Sequence, residues 1–267
     1  RLMAASPNSE TYFDEVLSLA DTDPPFAARV IAMANAADSA PACPVEALRD
    51  AVARIGGRRI GQMVTGMAVT RVFVPSTPEQ RQLWLHSIEV ATISRELANR
   101  WKLDEVDPDQ LHLAGLLHDV GRFVMFDDSP DDLEEVDQAG WQTPDQLVAI
   151  EQEQCGFDHA ELGGRACQHW GVPKAVSNTV RAHHRYEAGA FAAGANAPIQ
   201  SAAIVQLADR LSTLRYTHPE VFAEGGKDVE QFLADQEIDS LWTKMPELGD
   251  DWAEELGVCF EHARTLA

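Results

Sequence analysis

The sequence predicts an all-α protein, and three observations predict it. Apolar residues recur at spacings of three and four along most of the chain, as in Phe13, Val16, Leu17 and Ala20. Helix-start signals, an aspartate or threonine followed by proline, recur at Asp23-Pro24, Asp107-Pro108 and Thr143-Pro144. No segment sustains the two-residue alternation of a half-buried strand, and no internal repeat of roughly 20 to 50 residues is present.

The elements follow in order. From Glu10 to Phe73 the chain reads as a run of short helices. Asp23 is the expected N-cap of one that carries Phe26, Val30, Ile31 and Ala34 inward and ends close to Asn35. Pro41 to Pro44 breaks the chain, a helix over about Val45 to Ile55 follows, and Gly56-Gly57 punctuates it. Ile60 to Phe73 is the next expected helix, with Met63 and Met67 as core filler. Pro75-Ser76-Thr77-Pro78 marks a boundary, so residues 1–77 are expected to form an amino-terminal helical lobe of a two-lobe bundle, 78–216 a second helical core, and 217–267 a tail packed on it.

In that second core a long helix is expected over Glu79 to Trp101 and another from Pro108 to Gly121. Asp127 to Asp137, with seven acidic residues in eleven, reads as a solvated surface connection without chemistry. A helix from Thr143 stops at Gly156, and Asp158 caps the helix that begins at His159. Gly171-Val172-Pro173 opens a helix that reaches His183-His184, Glu187 to Pro198 is an alanine- and glycine-rich loop, and Ile199 to Leu214 is an apolar helix with a single acid, Asp209. Short helices are expected at Asp228 to Ala234 and Asp251 to Ala263.

Composition narrows the function classes. At 267 residues and 45% hydrophobic content the chain can bury a substantial core. Forty-three acidic against 21 basic residues give a formal charge of -22, which repels a phosphate backbone and argues against nucleic-acid partners. No window approaches the roughly 18 apolar residues of a membrane span, and Arg1-Leu2-Met3-Ala4 does not open a signal peptide, so a cytoplasmic, membrane-free protein is expected. Opening on Arg1, the chain is expected to be a piece of a longer protein with another domain upstream. Cys43, Cys155, Cys167 and Cys259 lie far apart and are expected to be free buried thiols.

Against this apolar background a few polar residues stand out. His118 and Asp119 sit side by side in Leu113-Ala114-Gly115-Leu116-Leu117-His118-Asp119-Val120-Gly121. Burying both without partners costs several kcal/mol. His86, His159, the His183-His184 pair and Asp209 lie on, or at the end of, other expected helices. Any one of them is most simply a hydrogen-bonded core residue, and Asp209 could pair with Arg210 or Arg215. Together they form a set of imidazole and carboxylate ligands that helices can point inward, suited to iron, manganese, zinc or nickel and large enough for one or two divalent ions. His112, His169, His218 and His262 lack such company and are expected at the surface or its boundary.

The order His, His-Asp, His, His-His, Asp resembles the HD superfamily of metal-dependent phosphohydrolases. One branch fits more of the chain. Asp23-Pro24-Pro25-Phe26-Ala27 through Asn35, Ala53 to Gly57, Leu83 to Ser87, Ala114 to Gly121, Glu151 to Gly163, and His169 to Pro173 followed by His183-His184 resemble the HD-related output domain (HDOD) family of bacterial signalling proteins, over about Glu10 to Leu214. That resemblance implies an HD-like helical core and a place in signal transduction through protein contacts rather than turnover, with an upstream sensory or receiver domain or another signalling protein as partner.

Carried over from the related HD-GYP phosphodiesterases, the resemblance implies one ion on His86, His118, Asp119 and Asp209 and a second on His159, His183 and His184, bridged by Asp119. The alternative it implies is a di-metal phosphohydrolase acting on a nucleotide or other phosphoester, with Asp119 and Arg122 as candidate catalytic residues. Arg122 stands where those enzymes carry lysine, and Arg185 to Phe191 replaces their Asp-Gly-x-Gly-Tyr-Pro segment.

Overall fold

A computed structural model describes residues 10–36, 44–56, 59–60, 77–141, 143–185, 187–223, 229, 245–249 and 251–266. Among these residues the protein is built of helices and short connections, with no strand. The expectations for Ile60 to Phe73, Pro75-Ser76, Asp228 to Ala234 and Cys43 fall wholly or mainly outside the described residues.

Three helices come first: α1 (Glu10–Ala20), α2 (Pro24–Asn35) and α3 (Leu48–Ile55), each packed on the other two. Asp23 caps α2 as expected, its carboxylate accepting from the Phe26 N–H at 2.8 Å. At the other end Asn35 ties the helix to the next segment. Its side chain donates to the Val45 carbonyl and accepts from the Val45 N–H, both at 2.8 Å.

The long helix α4 (Pro78–Trp101) begins in a capping box between Thr77 and Gln80 and buries Ile88, Val90, Ala91, Ile93 and Leu97. It packs against α5 (Pro108–Leu117), and Gly115 makes that approach possible: a Cβ there would lie 2.8 Å from the Ala91 Cα. The chain then turns at His118 and Asp119 and restarts as α6 (Val120–Asp128), so the single helix expected to run to Gly121 is two helices broken at the His-Asp pair. The break lets both side chains leave the helix axis toward one point.

The acidic stretch corrects an expectation. Pro130 opens α7 (Pro130–Gln138), which buries Leu133 and Val136 on one face and leaves most of its carboxylates in water. It is an amphipathic helix rather than a connection. Next come α8 (Pro144–Cys155), stopped by Gly156 at φ 78°, α9 (His159–His169), capped by Asp158, and α10 (Lys174–Ala182). Among the described residues the helices α11 (Ala197–Thr217), α12 (Glu220–Ala223) and α13 (Trp252–Leu266) complete the order.

α4 is the axis on which α5, α11 and α13 pack, while α9 packs on α10 and α6. One continuous apolar cluster runs from Tyr12 through Ile93, Leu116 and Leu207 to Phe260. Burial of each such side chain contributes on the order of 1.5–3 kcal/mol, which is what holds the polar centre described next in place. Cys155, Cys167 and Cys259 are free, and the last two are buried.

Candidate metal centre

Five elements deliver the polar side chains to one point. α4 brings His86, the turn after α5 brings His118 and Asp119, α9 begins at His159, α10 ends into His183 and His184, and α11 brings Asp209. Gly121 sets the spacing between α6 and α9, because a Cβ on it would stand 2.0 Å from the His159 carbonyl oxygen. All seven expected ligands converge.

The histidines are held from behind. His118 Nδ1 donates to the Gly115 carbonyl at 2.7 Å, and His183 Nδ1 to the Val180 carbonyl at 2.5 Å. His159 Nδ1 lies 2.6 Å from a Glu151 carboxylate oxygen, and His86 Nδ1 lies 2.9 Å from Ser212 Oγ. A carbonyl oxygen can only accept, so His118 and His183 carry their hydrogen on Nδ1 and turn a lone pair on Nε2 inward. Outer partners of this kind orient imidazole ligands.

The inward atoms fall into two groups. His118 Nε2 lies 3.2 Å from His86 Nε2, which lies 3.2 Å from Asp209 Oδ1. His159 Nε2 lies 2.9 Å from His184 Nε2 and 3.4 Å from His183 Nε2. Asp119 stands between the groups with its two oxygens divided. Oδ2 is 3.4 Å from His118 and 3.8 Å from His86, whereas Oδ1 is 3.1 Å from His159 and 3.9 Å from His183. Three overlapping sets of ligand atoms, His86-His118-Asp209, His118-Asp119-His183 and His159-His183-His184, each lie within 4.8 Å of one another.

This donor set fits divalent cations. Neutral rings that present lone pairs to one another repel, and a cation between them converts that repulsion into ligation. Burial and neighbouring charges shift the ionisation of these groups in different directions. Burial pushes His118 and His184 down, His184 strongly, and takes His183 to about 3. Burial also works against a charged His159, but Glu151 and Asp119 outweigh it and raise that ring to about 10. Asp119 and Asp209 are held below the usual carboxylate range by the surrounding imidazoles, despite burial.

Above the centre lies a cavity of about 540 Å³, walled by Leu83, Phe126, Trp141 and Tyr216 and reaching Asp119 and Arg122. Its size and apolar lining are those of a small-molecule site. Arg122 is buried, and its guanidinium lies 2.6 Å from Asp137 and 3.5 Å from Glu151. The acidic stretch to which the sequence assigned no chemistry thus contributes Asp137 to the cavity wall.

Sequence reasoning gave no role to Glu151, Glu89 or Ser212, all fully buried behind the ligands. The alternative partners for Asp209 are otherwise engaged: Arg210 lies 3.6 Å from Asp145, and Arg215 pairs with Glu89. His112, expected near the surface, is 4% exposed with Nε2 3.4 Å from Asp21, because α2 and α4 cover α5. His169, His218 and His262 are exposed. Arg185 is exposed beside the histidine pair, whereas Ala190 and Phe191 turn into the core, with the Phe191 ring edge-on to Trp101 at 5.3 Å.

Comparisons with known proteins agree with this architecture. The model of the HDOD domain family matches residues 1–186. An uncharacterized protein of Treponema pallidum (strain Nichols) is 24% identical over 185 residues, 68% of this chain and 36% of its own length, so the chain spans about a third of that relative. Among solved structures, the MmoQ response regulator of Methylococcus capsulatus str. Bath superimposes with a TM-score of 0.66 at 22% identity, covering 85% of this chain and 91% of that one. An HDOD domain protein of unknown function from Geobacter sulfurreducens gives 0.51 at 23% identity, covering 98% and 88%. At these identities the structural likeness speaks for the fold. With a family match over more than two thirds of its length and the fold of that family's members, the chain belongs to the HDOD family.

Proposed function

We propose that the protein is a metal-binding HDOD signalling module that holds two divalent ions and acts through contacts with another signalling protein or an attached sensory or receiver domain. The single observation that carries the metal reading is the pairing of inward imidazole nitrogens, 3.2 Å apart at His86 and His118 and 2.9 Å apart at His159 and His184. His86, His118, Asp119 and Asp209 would hold one ion, and His159, His183 and His184 the other, with Asp119 shared. Iron, manganese, zinc or nickel suits such ligands. The acidic surface and the absence of a described helix long and apolar enough to cross a membrane support a cytoplasmic setting away from nucleic acid.

A second reading, a phosphohydrolase acting on a nucleotide or other phosphoester, is favoured by one further observation: the 540 Å³ cavity opens directly onto Asp119 and Arg122. Divalent ions at the centre would supply Lewis-acid stabilisation of phosphoryl oxygens. The chain's own contributions would be the buried guanidinium of Arg122 toward a phosphate and the aromatic walls of Trp141 and Tyr216 toward a planar group.

Elemental analysis of protein purified without chelators tests the shared metal reading. The expected result is two transition-metal ions per chain, and a protein that stays metal-free even after refolding with metal overturns it. A phosphoester screen with manganese or iron present separates the two functions. Turnover lost in both His118→Ala and Asp119→Ala establishes the enzyme, while no turnover by the metal-loaded protein leaves the signalling module.

A further inference from the structure

Behind the His86 side of the centre lies a buried acid that touches none of the expected ligands. Glu89 sits one turn along α4 from His86, with a fully buried carboxylate in a stretch where Ile88, Val90 and Ala91 are buried as well. A buried carboxylate needs hydrogen-bond partners. Among the described residues its partners come from α11: Ser212 Oγ donates at 2.6 Å, Tyr216 Oη approaches both carboxylate oxygens at 3.1 and 3.2 Å, and the Arg215 guanidinium pairs with it. Arg215 is itself backed by α13, its guanidinium carbon 4.3 Å from the centre of the Phe260 ring.

Ser212 is the informative member. Its one hydrogen is committed to Glu89, so its oxygen is left as an acceptor toward His86 Nδ1, 2.9 Å away. That places a hydrogen on His86 Nδ1 and aims Nε2 at His118 and Asp209, so that in the neutral ring Nε2 is the free ligand atom. The same role is filled on the other side by Glu151, which holds His159 Nδ1 directly at 2.6 Å. Because the two halves are fixed by different residues, they can be disturbed one at a time.

We propose that Glu89, acting through Ser212, is the positioning residue for His86 and sets the affinity of the ion held by His86, His118, Asp119 and Asp209 without touching it. The inference rests on the metal reading above. Loss of such an outer partner lowers metal affinity by roughly 10- to 100-fold. Only the His86 half should feel it.

The test is a cobalt(II) titration of the whole chain, followed by visible absorption and by ions bound per chain. The wild type is expected to fill two sites. Ser212→Ala, a small change at a buried position, is expected to weaken one step roughly 10- to 100-fold and leave the other step and its spectrum unchanged; Glu89→Gln, which keeps the shape but not the charge, is expected to weaken the same step less. Glu151→Gln is the mirror control and is expected to weaken the other step. Two unperturbed steps in Ser212→Ala, or equal weakening of both, overturn the inference while leaving the metal reading intact. No cobalt uptake by the wild type removes the metal reading itself, and the inference with it. If Glu89→Gln fails to fold, Ser212→Ala decides alone.

Discussion

The Nε2 atoms of His86 and His118 stand 3.2 Å apart at the meeting point of α4 and the turn after α5. Each ring is committed through Nδ1 to a partner outside the centre, so two neutral rings have no hydrogen to place between them. The arrangement is therefore better stabilised with a cation than without one. Chelation is expected to lower the melting temperature. Ions present at about 100 times their dissociation constant stabilise by roughly 2.7 kcal/mol, which for a domain of this size is about 5–10 °C. Asp119→Ala, which removes the carboxylate shared between the halves, should abolish this metal-dependent increment, while His184→Ala should remove only part of it. Calorimetry with and without chelator reads the difference.

Gly121 gives a stability prediction of another kind. A Cβ at this position would meet the His159 carbonyl oxygen at 2.0 Å, so Gly121→Ala must push α6 away from the start of α9. Overpacking against backbone costs on the order of 1–3 kcal/mol. The displacement also carries His159 away from Asp119, so the variant should lose stability and metal together. Urea unfolding and metal stoichiometry measured on the same preparation check it, and an unchanged midpoint contradicts it.

Asp23 supplies a pH dependence remote from the centre. Burial raises its carboxyl to about 6, against the opposing pull of the Phe26 N–H and Arg29. A carboxyl that holds its proton more tightly in the folded state favours folding fully below its unfolded value of 3.8, and that contribution is lost as pH rises through about 6. Two pKa units amount to about 3 kcal/mol for a fully buried group, and the partial exposure of Asp23 reduces this to about 1–2 kcal/mol. Asparagine caps a helix as well as aspartate. Asp23→Asn should therefore melt about 3–6 °C above the wild type at pH 7.5, with the gap narrowing at pH 5.2. An equal or lower midpoint at pH 7.5 sinks the argument.

The helices and the seven expected ligands were legible because each leaves a local mark. Asp23, Thr143 and Asp158 cap the helices they precede, and His118-Asp119 interrupts an apolar run. What stands behind the ligands was less legible, since Glu151 serves His159 and Ser212 serves His86 from other helices, and sequence spacing does not record such pairings. A mark was nonetheless present. Glu89 is flanked by Ile88 and Val90, and Glu151 lies one turn beyond the buried Leu147 on the same face of α8, so both are acids in core-facing positions. The acidic stretch misled in the opposite way. Its charge density hid the spacing of Leu133 and Val136, which one turn of helix brings to the same side.

Arg122 and Asp137 carry the last prediction. Arg122 is buried and lines the cavity, yet its guanidinium is already engaged at 2.6 Å by Asp137, which reaches it from the end of α7 with 36% of its side chain exposed. An incoming phosphate would compete with that carboxylate for the guanidinium, and a partly exposed carboxylate can leave for water at modest cost. Asp137→Asn removes the competing charge while keeping a hydrogen-bond acceptor. In the metal-loaded protein it should bind inorganic phosphate several-fold more tightly than the wild type, with Arg122→Gln binding more weakly than either. Calorimetric titration with phosphate measures all three. If Asp137 instead serves to hold Arg122 in position, the order reverses and Asp137→Asn binds more weakly than the wild type, so the sign of the change decides whether α7 restrains the cavity or supports it.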